Sequence, residues 1–335
     1  MFCKILKYSI QSHTLISIMK KTLLLLGFLI SLLYTKAQSV IYPHPIKTIA
    51  LSTENLPVRM AYMDVLPSKP NGETIVLLHG KNFNGFYWKD VISFLSGQGY
   101  RVVVPDQVGW GQSDKPNIHY SFHLLAINTK KLLDTLKIQK AHVVGHSMGG
   151  MLATRFALMY PQTVSKLIYE NPIGLEDYKT FVPYRSLEEQ YAGELKATYE
   201  SLKNYQHSYY PVWKQEYEPY VAAQLAALNY PDFKQATWAS ALAYQMIYEQ
   251  PVVYEFKNIT SPTLIIIGQE DRTVVGKNLL PKEVAARYGN YPKLGKMLQQ
   301  QIRGSQLVEL NGVGHIPHIQ DLNTFNKVLL TFLKK

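Results

Sequence analysis

Cysteine is almost absent from this chain of 335 residues: the single one is Cys3. One thiol cannot close a disulfide within the chain, and no Cys/His set stands at zinc-ligand spacing, so neither a crosslink nor a metal is expected to hold the fold. That fits an oxidising exterior without requiring one. Long apolar runs are also missing. The most apolar stretch, Leu23 to Tyr34, has twelve residues, short of the about 20 that span a bilayer. Acids are missing from the first 37 residues, which hold five lysines, so the rest of the chain carries +6 of the net +11. No block of Lys or Arg stands out, and a nucleic-acid partner is not supported. There is no internal repeat and no low-complexity linker. With 47% hydrophobic and 18% charged residues, the composition is that of an ordinary globular core, in one large domain or two small ones.

The N-terminal segment reads as a targeting signal. Met19-Lys20-Lys21-Thr22 precedes the short apolar run, and Thr35-Lys36-Ala37 follows with small residues where a signal peptidase cuts. A positive n-region, short h-region and small-residue site describe a secretory signal peptide. The expectation is a protein exported to the periplasm or secreted, beginning near Gln38, with no stable membrane insertion after cleavage. Residues 1–18 then read as an upstream extension. No cysteine follows the apolar run, so a lipid anchor is not expected.

Beyond residue 38, short apolar runs alternate with amphipathic stretches. Strands are expected at Val58 to Val65, Thr74 to Leu78, Tyr100 to Val104, Ala141 to Val144, Ser165 to Tyr169, Pro262 to Ile267 and Gln306 to Leu310. Helices are expected at Phe86 to Gln98, Ser121 to Leu136, Met148 to Tyr160, Lys277 to Tyr288, Leu294 to Ile302 and Pro317 to Leu333. Strands alternating with helices imply a mostly parallel sheet covered on both faces. From 172 to 254 the alternation stops. That stretch holds thirteen of the 24 tyrosines, with Trp213 and Trp238, and reads as a helical lid inserted between two strands. The core is expected in 38–171 and 255–335. Most lid tyrosines are expected to pack in a core rather than meet a ligand.

The residues that carry chemistry cluster after predicted strands. Gly145-His146-Ser147-Met148-Gly149 is the G-x-S-x-G pattern of a sharp strand-to-helix turn with a serine at its apex. The glycines are expected because side chains would collide in so tight a turn. A serine hydroxyl needs a base, and the base an orienting acid. Asp271 follows Leu264-Ile-Ile-Ile-Gly268, and His315 follows Gln306 to Leu310. In a parallel sheet both positions fall on one edge with Ser147. Glu170, at the end of the preceding strand, is a rival acid, and Glu270 is expected to point elsewhere. His79 and His146 flank the site and are expected to pack and hydrogen-bond. His315 with His318 lacks a third ligand at zinc spacing. The segment Asp106 to Ser113 is expected to be a structural loop.

The order Ser147, Asp271, His315 and the turn around Ser147 resemble the α/β-hydrolase fold family, in its lidded branch related to serine esterases and carbon–carbon bond hydrolases. The resemblance covers residues 55 to 333. The wording of Leu77 to Phe83 and Asn171 to Asp177 is similar to that of a group of exported members. It implies Ser147 as nucleophile, His315 as base and Asp271 as orienting acid, with the backbone N–H groups of Lys81 and Met148 as an oxyanion hole. It further implies a hydrolase acting through an acyl-enzyme on a small-molecule ester of an apolar acid, without cofactor or metal. Hydrolysis of a C–C bond in a diketone-like substrate, or ligand binding without turnover, are the alternatives. One departure from the family is the longer Asp271–His315 separation, filled by 276–303.

Overall fold

The computed structural model describes residues 41–226 and 232–335; the expected signal segment and Cys3 lie outside them. Eight strands form one sheet: β1 Lys47–Thr53, β2 Leu56–Val65, β3 Thr74–Leu78, β4 Arg101–Pro105, β5 Ala141–His146, β6 Val164–Glu170, β7 Thr263–Gly268 and β8 Gln306–Leu310. Their order across the sheet is β1-β2-β4-β3-β5-β6-β7-β8. β2 runs antiparallel to both β1 and β4, and the six strands from β4 to β8 are mutually parallel.

Period-two side-chain alternation divides the core into two layers. In β3, Ile75 and Leu77 face a cluster with Val91, Leu95, Phe325 and Leu329 from the helices Lys89–Gly97 and Leu322–Leu333. Val76 and Leu78 face the other way, toward Leu125, Leu132, Met151 and Leu152 of the helices Phe122–Thr135 and Met148–Met159. All five residues of β3 are buried, which is why its sequence is a continuous apolar run rather than an alternating one. Each such side chain contributes about 1.5–3 kcal/mol by leaving water.

Three expectations need correction. β1 was not expected; it pairs along its whole length with β2 and alternates buried and exposed residues. The stretch Lys277 to Tyr288 is not one helix but a 3₁₀ turn, Lys277–Leu279, and a short helix, Lys282–Ala285. Pro281 between them lacks an amide hydrogen, and Gly276 and Gly289 at the ends have positive φ. The closing helix is broken into Pro317–Gln320 and Leu322–Leu333, where the Asp321 side chain accepts the Thr324 N–H.

Between β6 and β7 the chain forms the helices Leu187–Glu194, Tyr199–His207, Glu218–Ala226 and Phe233–Glu249, with no strand among the described residues. Ser186 and Thr198 cap the first two, as small hydroxyl residues do at helix starts. A third apolar cluster joins this insertion to the sheet edge. It packs Tyr209, Tyr210, Tyr217 and Tyr220 against Phe83, Tyr87 and Ile316. Among the described residues no helix is long and apolar enough to cross a membrane.

Candidate active site

Strand order reverses at β3: the chain crosses to β4 on one side and then to β5 on the other. Loops leaving a parallel sheet at such a point open a crevice at the C-terminal strand ends. Ser147 sits there, directly after β5, with φ 55° and ψ −122°. This conformation is rare for a side-chain-bearing residue. Two glycines make it possible. A Cβ on Gly145 would lie 2.3 Å from the Gly149 carbonyl oxygen, and one on Gly149 would lie 2.2 Å from the Leu78 carbonyl oxygen.

β7 and β8 deliver the other two residues to the same edge. His315 Nε2 is 3.0 Å from Ser147 Oγ, and its Nδ1 is 2.7 Å from Asp271 Oδ2. His315 is fully buried, and Asp271 and Ser147 are nearly so. Burial pushes the Asp271 carboxyl up. The field of the His315 ring and hydrogen bonds from His315, the Thr273 N–H and the Asn171 side chain outweigh it, and the net shift is downward. An ionised Asp271 accepts from Nδ1–H, which leaves Nε2 free to accept the serine proton.

The loop after β3 closes one side. A Cβ at Gly80 would lie 2.9 Å from Ser147 Cβ, so the following residue, Lys81, begins beside the serine. Trp110 Nε1–H donates to the Lys81 carbonyl at 2.6 Å and fixes that peptide. The Lys81 ammonium reaches the insertion, at 3.1 Å from Glu194 Oε1 and 2.7 Å from Ser240 Oγ. Met148 opens its helix, so its N–H has no intrahelical partner. A cavity of about 860 Å³ opens here, lined by Ser147, Lys81, Tyr205, Tyr209, Tyr244 and Val274 among others.

Glu170 does not face His315. Its carboxylate accepts the His318 backbone N–H at 2.7 Å and lies 2.8 Å from His318 Nδ1, with the ring stacked on Trp88 at 4.2 Å. His315 and His318 therefore face different partners. His79 Nδ1–H donates to the Gly80 carbonyl, and Nε2 accepts the Gln107 N–H. His146 Nε2–H donates to the His315 carbonyl at 2.9 Å. Burial lowers both their pKa values, and His315 and His318 nearby lower that of His146 further. Both stay neutral at pH 7. Glu270 lies 3.8 Å from Arg272 with its side chain half exposed. In the Asp106 to Ser113 loop, Asp106 accepts the Gly85 and Gln112 N–H groups.

Sequence reasoning missed three residues around Asp271 and His315. Asn171 bridges the sheet, donating to Asp271 Oδ2 at 2.8 Å and accepting the Gly268 N–H at 2.9 Å. Its place one residue past β6, on the same edge, was the available signal. Thr273 acts through its backbone N–H, and Tyr209 comes from the insertion; neither carries a local sequence mark.

Residues 73–322 match the sequence model of the alpha/beta hydrolase fold family. The chain belongs to this family. A solved structure of a probable hydrolytic enzyme from Pseudomonas aeruginosa is 43% identical, with a TM-score of 0.86 over 88% of this α/β hydrolase and 96% of that chain. A 2-hydroxy-6-oxononadienedioate/2-hydroxy-6-oxononatrienedioate hydrolase of Pseudomonas putida is 27% identical over 86% of this chain and 96% of its own length. Uncharacterized proteins of Mycobacterium tuberculosis and Mycobacterium bovis are 36% identical over 131 residues. This α/β hydrolase spans only 38% of the length of those curated relatives.

Proposed function

We propose that this α/β hydrolase cleaves an ester of an apolar small or medium acid through an acyl-enzyme on Ser147. The observation that carries the reading is the hydrogen-bonded line Asp271–His315–Ser147, ending at a strained turn that faces a large cavity. In this reading Ser147 Oγ attacks the ester carbonyl while its proton moves to His315 Nε2. The carbonyl π electrons move to oxygen, where the N–H groups of Lys81 and Met148 receive the charge. Such donors are worth roughly 3–4 kcal/mol each. His315 returns the proton to the leaving alcohol, and the acyl group stays on Ser147. Water, deprotonated by the same histidine, then releases the acid. Asp271 holds the imidazole and offsets its charge while it is protonated.

A second reading is hydrolysis of a C–C bond in a diketone-like substrate. It is supported by the Pseudomonas putida relative, whose substrate carries a 2-hydroxy-6-oxo group. The same residues serve, with a carbon leaving group taking the proton. A non-catalytic binding role needs none of Ser147, His315, Asp271 and the loop at Lys81 together. Incubation with a fluorophosphonate tests the enzyme reading: intact mass is expected to show one adduct, on the peptide holding Ser147. An unlabelled protein with no turnover on esters of graded acyl length or on a 2-hydroxy-6-oxo dienoate would leave the binding role. Export remains a separate proposal, resting on residues 19–37; N-terminal sequencing of the exported protein is expected to begin near Gln38.

A further inference from the structure

The insertion touches the candidate base directly. Tyr209 lies between the helix Tyr199–His207 and the next helical turn, in a segment far in sequence from the sheet residues of the site. Its ring stacks on the His315 imidazole, with centroids 4.8 Å apart and planes 26° from parallel. Its carbonyl accepts the His315 backbone N–H at 2.9 Å. The approach is so close that a Cβ at position 314 would lie 2.2 Å from that carbonyl oxygen, which Gly314 avoids. The Tyr209 hydroxyl accepts from Asn82 Nδ2 at 3.1 Å, in the loop that carries Lys81. Tyr209 is 5% exposed and also lines the cavity.

We propose that Tyr209 is a positioning residue supplied by the lid, holding the His315 ring in plane with Asp271 and Ser147 and tying it to the Lys81 loop. The inference rests on the proposed hydrolase reading. The physical argument is one of degrees of freedom. Hydrogen bonds at Nδ1 and Nε2 fix the imidazole along one line but leave it free to rock about that line. A face-stacked ring removes the rocking, and the backbone bond fixes the loop from which the side chain springs. The electron-rich phenol face also favours the imidazolium formed during proton transfer. Tyr209 is itself held at its carbonyl, ring and hydroxyl.

The structure supplies an internal control. Tyr210 is as buried as Tyr209 and belongs to the same aromatic cluster, but it stacks on Tyr217 at 4.1 Å. The test compares Tyr209→Phe, Tyr209→Leu, Tyr209→Met and Tyr210→Leu by thermal melting, ester kinetics, phosphonate labelling rate and the low-field imidazole proton resonance of His315. Tyr209→Phe keeps the stack and loses only the Asn82 hydrogen bond, so its kcat is expected to fall less than that of Tyr209→Leu or Tyr209→Met. Tyr209→Leu and Tyr209→Met are expected to lose about 10- to 100-fold in kcat with a small change in KM, as misplacing a reacting group by an ångström does. Tyr210→Leu is expected to lower the melting temperature as much as Tyr209→Leu while keeping kcat. The His315 resonance is expected to survive in Tyr209→Phe and to broaden or move in Tyr209→Leu and Tyr209→Met. Equal kcat losses in Tyr209→Leu and Tyr210→Leu, or an unmoved resonance in Tyr209→Leu, would overturn the proposal. The resonance needs no substrate. A wild type that takes no phosphonate, with a His315 resonance that survives in Tyr209→Phe and moves in Tyr209→Leu, would therefore fail the hydrolase reading and keep the positioning role.

Discussion

The sheet edge and the helical insertion both line the cavity at Ser147 and are held together differently. In β3 and β5 every residue is buried, and parallel backbone ladders fix Leu78 opposite Gly145 and His146 opposite Glu170. Positions there are set by main-chain hydrogen bonds, with apolar side chains filling the layers. In the lid, rings pack on rings. Tyr210 stacks on Tyr217, and the hydroxyls of Tyr210 and Tyr244 have no protein partner. The sheet therefore sets the positions of Ser147, Asp271 and His315 through its strand ladders, and the insertion contributes apolar area and the cavity wall. Tyr209, Lys81 and Glu194 join the two regions. Disturbing the sheet edge should cost chemistry, and disturbing the lid away from these joints should cost stability.

The largest break in that comparison is Ser147→Ala. It removes one hydroxyl, leaves both glycines, and is expected to lower kcat by about 10⁶ with an unchanged far-ultraviolet spectrum. Next is Asp271→Asn, which mis-sets the histidine tautomer for a loss near 10⁴. Glu170→Gln, acting on His318 rather than His315, is expected to lose far less. If the two losses were reversed in steady-state assays, the orienting acid would be Glu170. Asn171→Ala removes one of the hydrogen bonds that hold Asp271 and is expected to cost about tenfold in kcat, read on the same ester.

In the lid, Tyr217→Leu is expected to destabilise by about 1–3 kcal/mol in urea unfolding and to leave kcat near wild type. The smallest effect is in acid. The Asp271 carboxyl is held below its ordinary value of about 3.9. A depressed carboxyl contributes stability above its unfolded pKa and loses it as pH falls through the folded one. The stability advantage of wild type over Asp271→Asn should therefore be full at pH 7 and shrink below about pH 4. An advantage that grew toward acid would mean that Asp271 is protonated in the native state.

Where local pattern and tertiary environment agreed, the sequence was enough. Thr74–Leu78 and Gln306–Leu310 were legible to the residue, because turn residues bound each apolar run. The helix start at Ser121 was legible, and the Ser121 side chain caps that helix by accepting the Leu124 N–H. β1 was not legible: its residues are half exposed, and its partner β2 supplies the reason it is a strand. The helix expected from Leu294 begins three residues earlier, at Tyr291. Asn290 caps it and Pro292 sits in its first turn, where a proline loses no hydrogen bond.

By itself the sequence determined the layered α/β architecture, the elbow at Ser147 and the two strand ends that carry Asp271 and His315. Periodicity, glycine spacing and chain order are local or one-dimensional, and survive without coordinates. Tertiary structure alone decided which carboxylate faces which histidine, that Asn171 steadies Asp271, and that a lid tyrosine lies flat on His315. Those choices turn on distances of about 3 Å between residues 44 to 168 positions apart. No local pattern encodes such a distance, because it is set jointly by the packing of every layer between them.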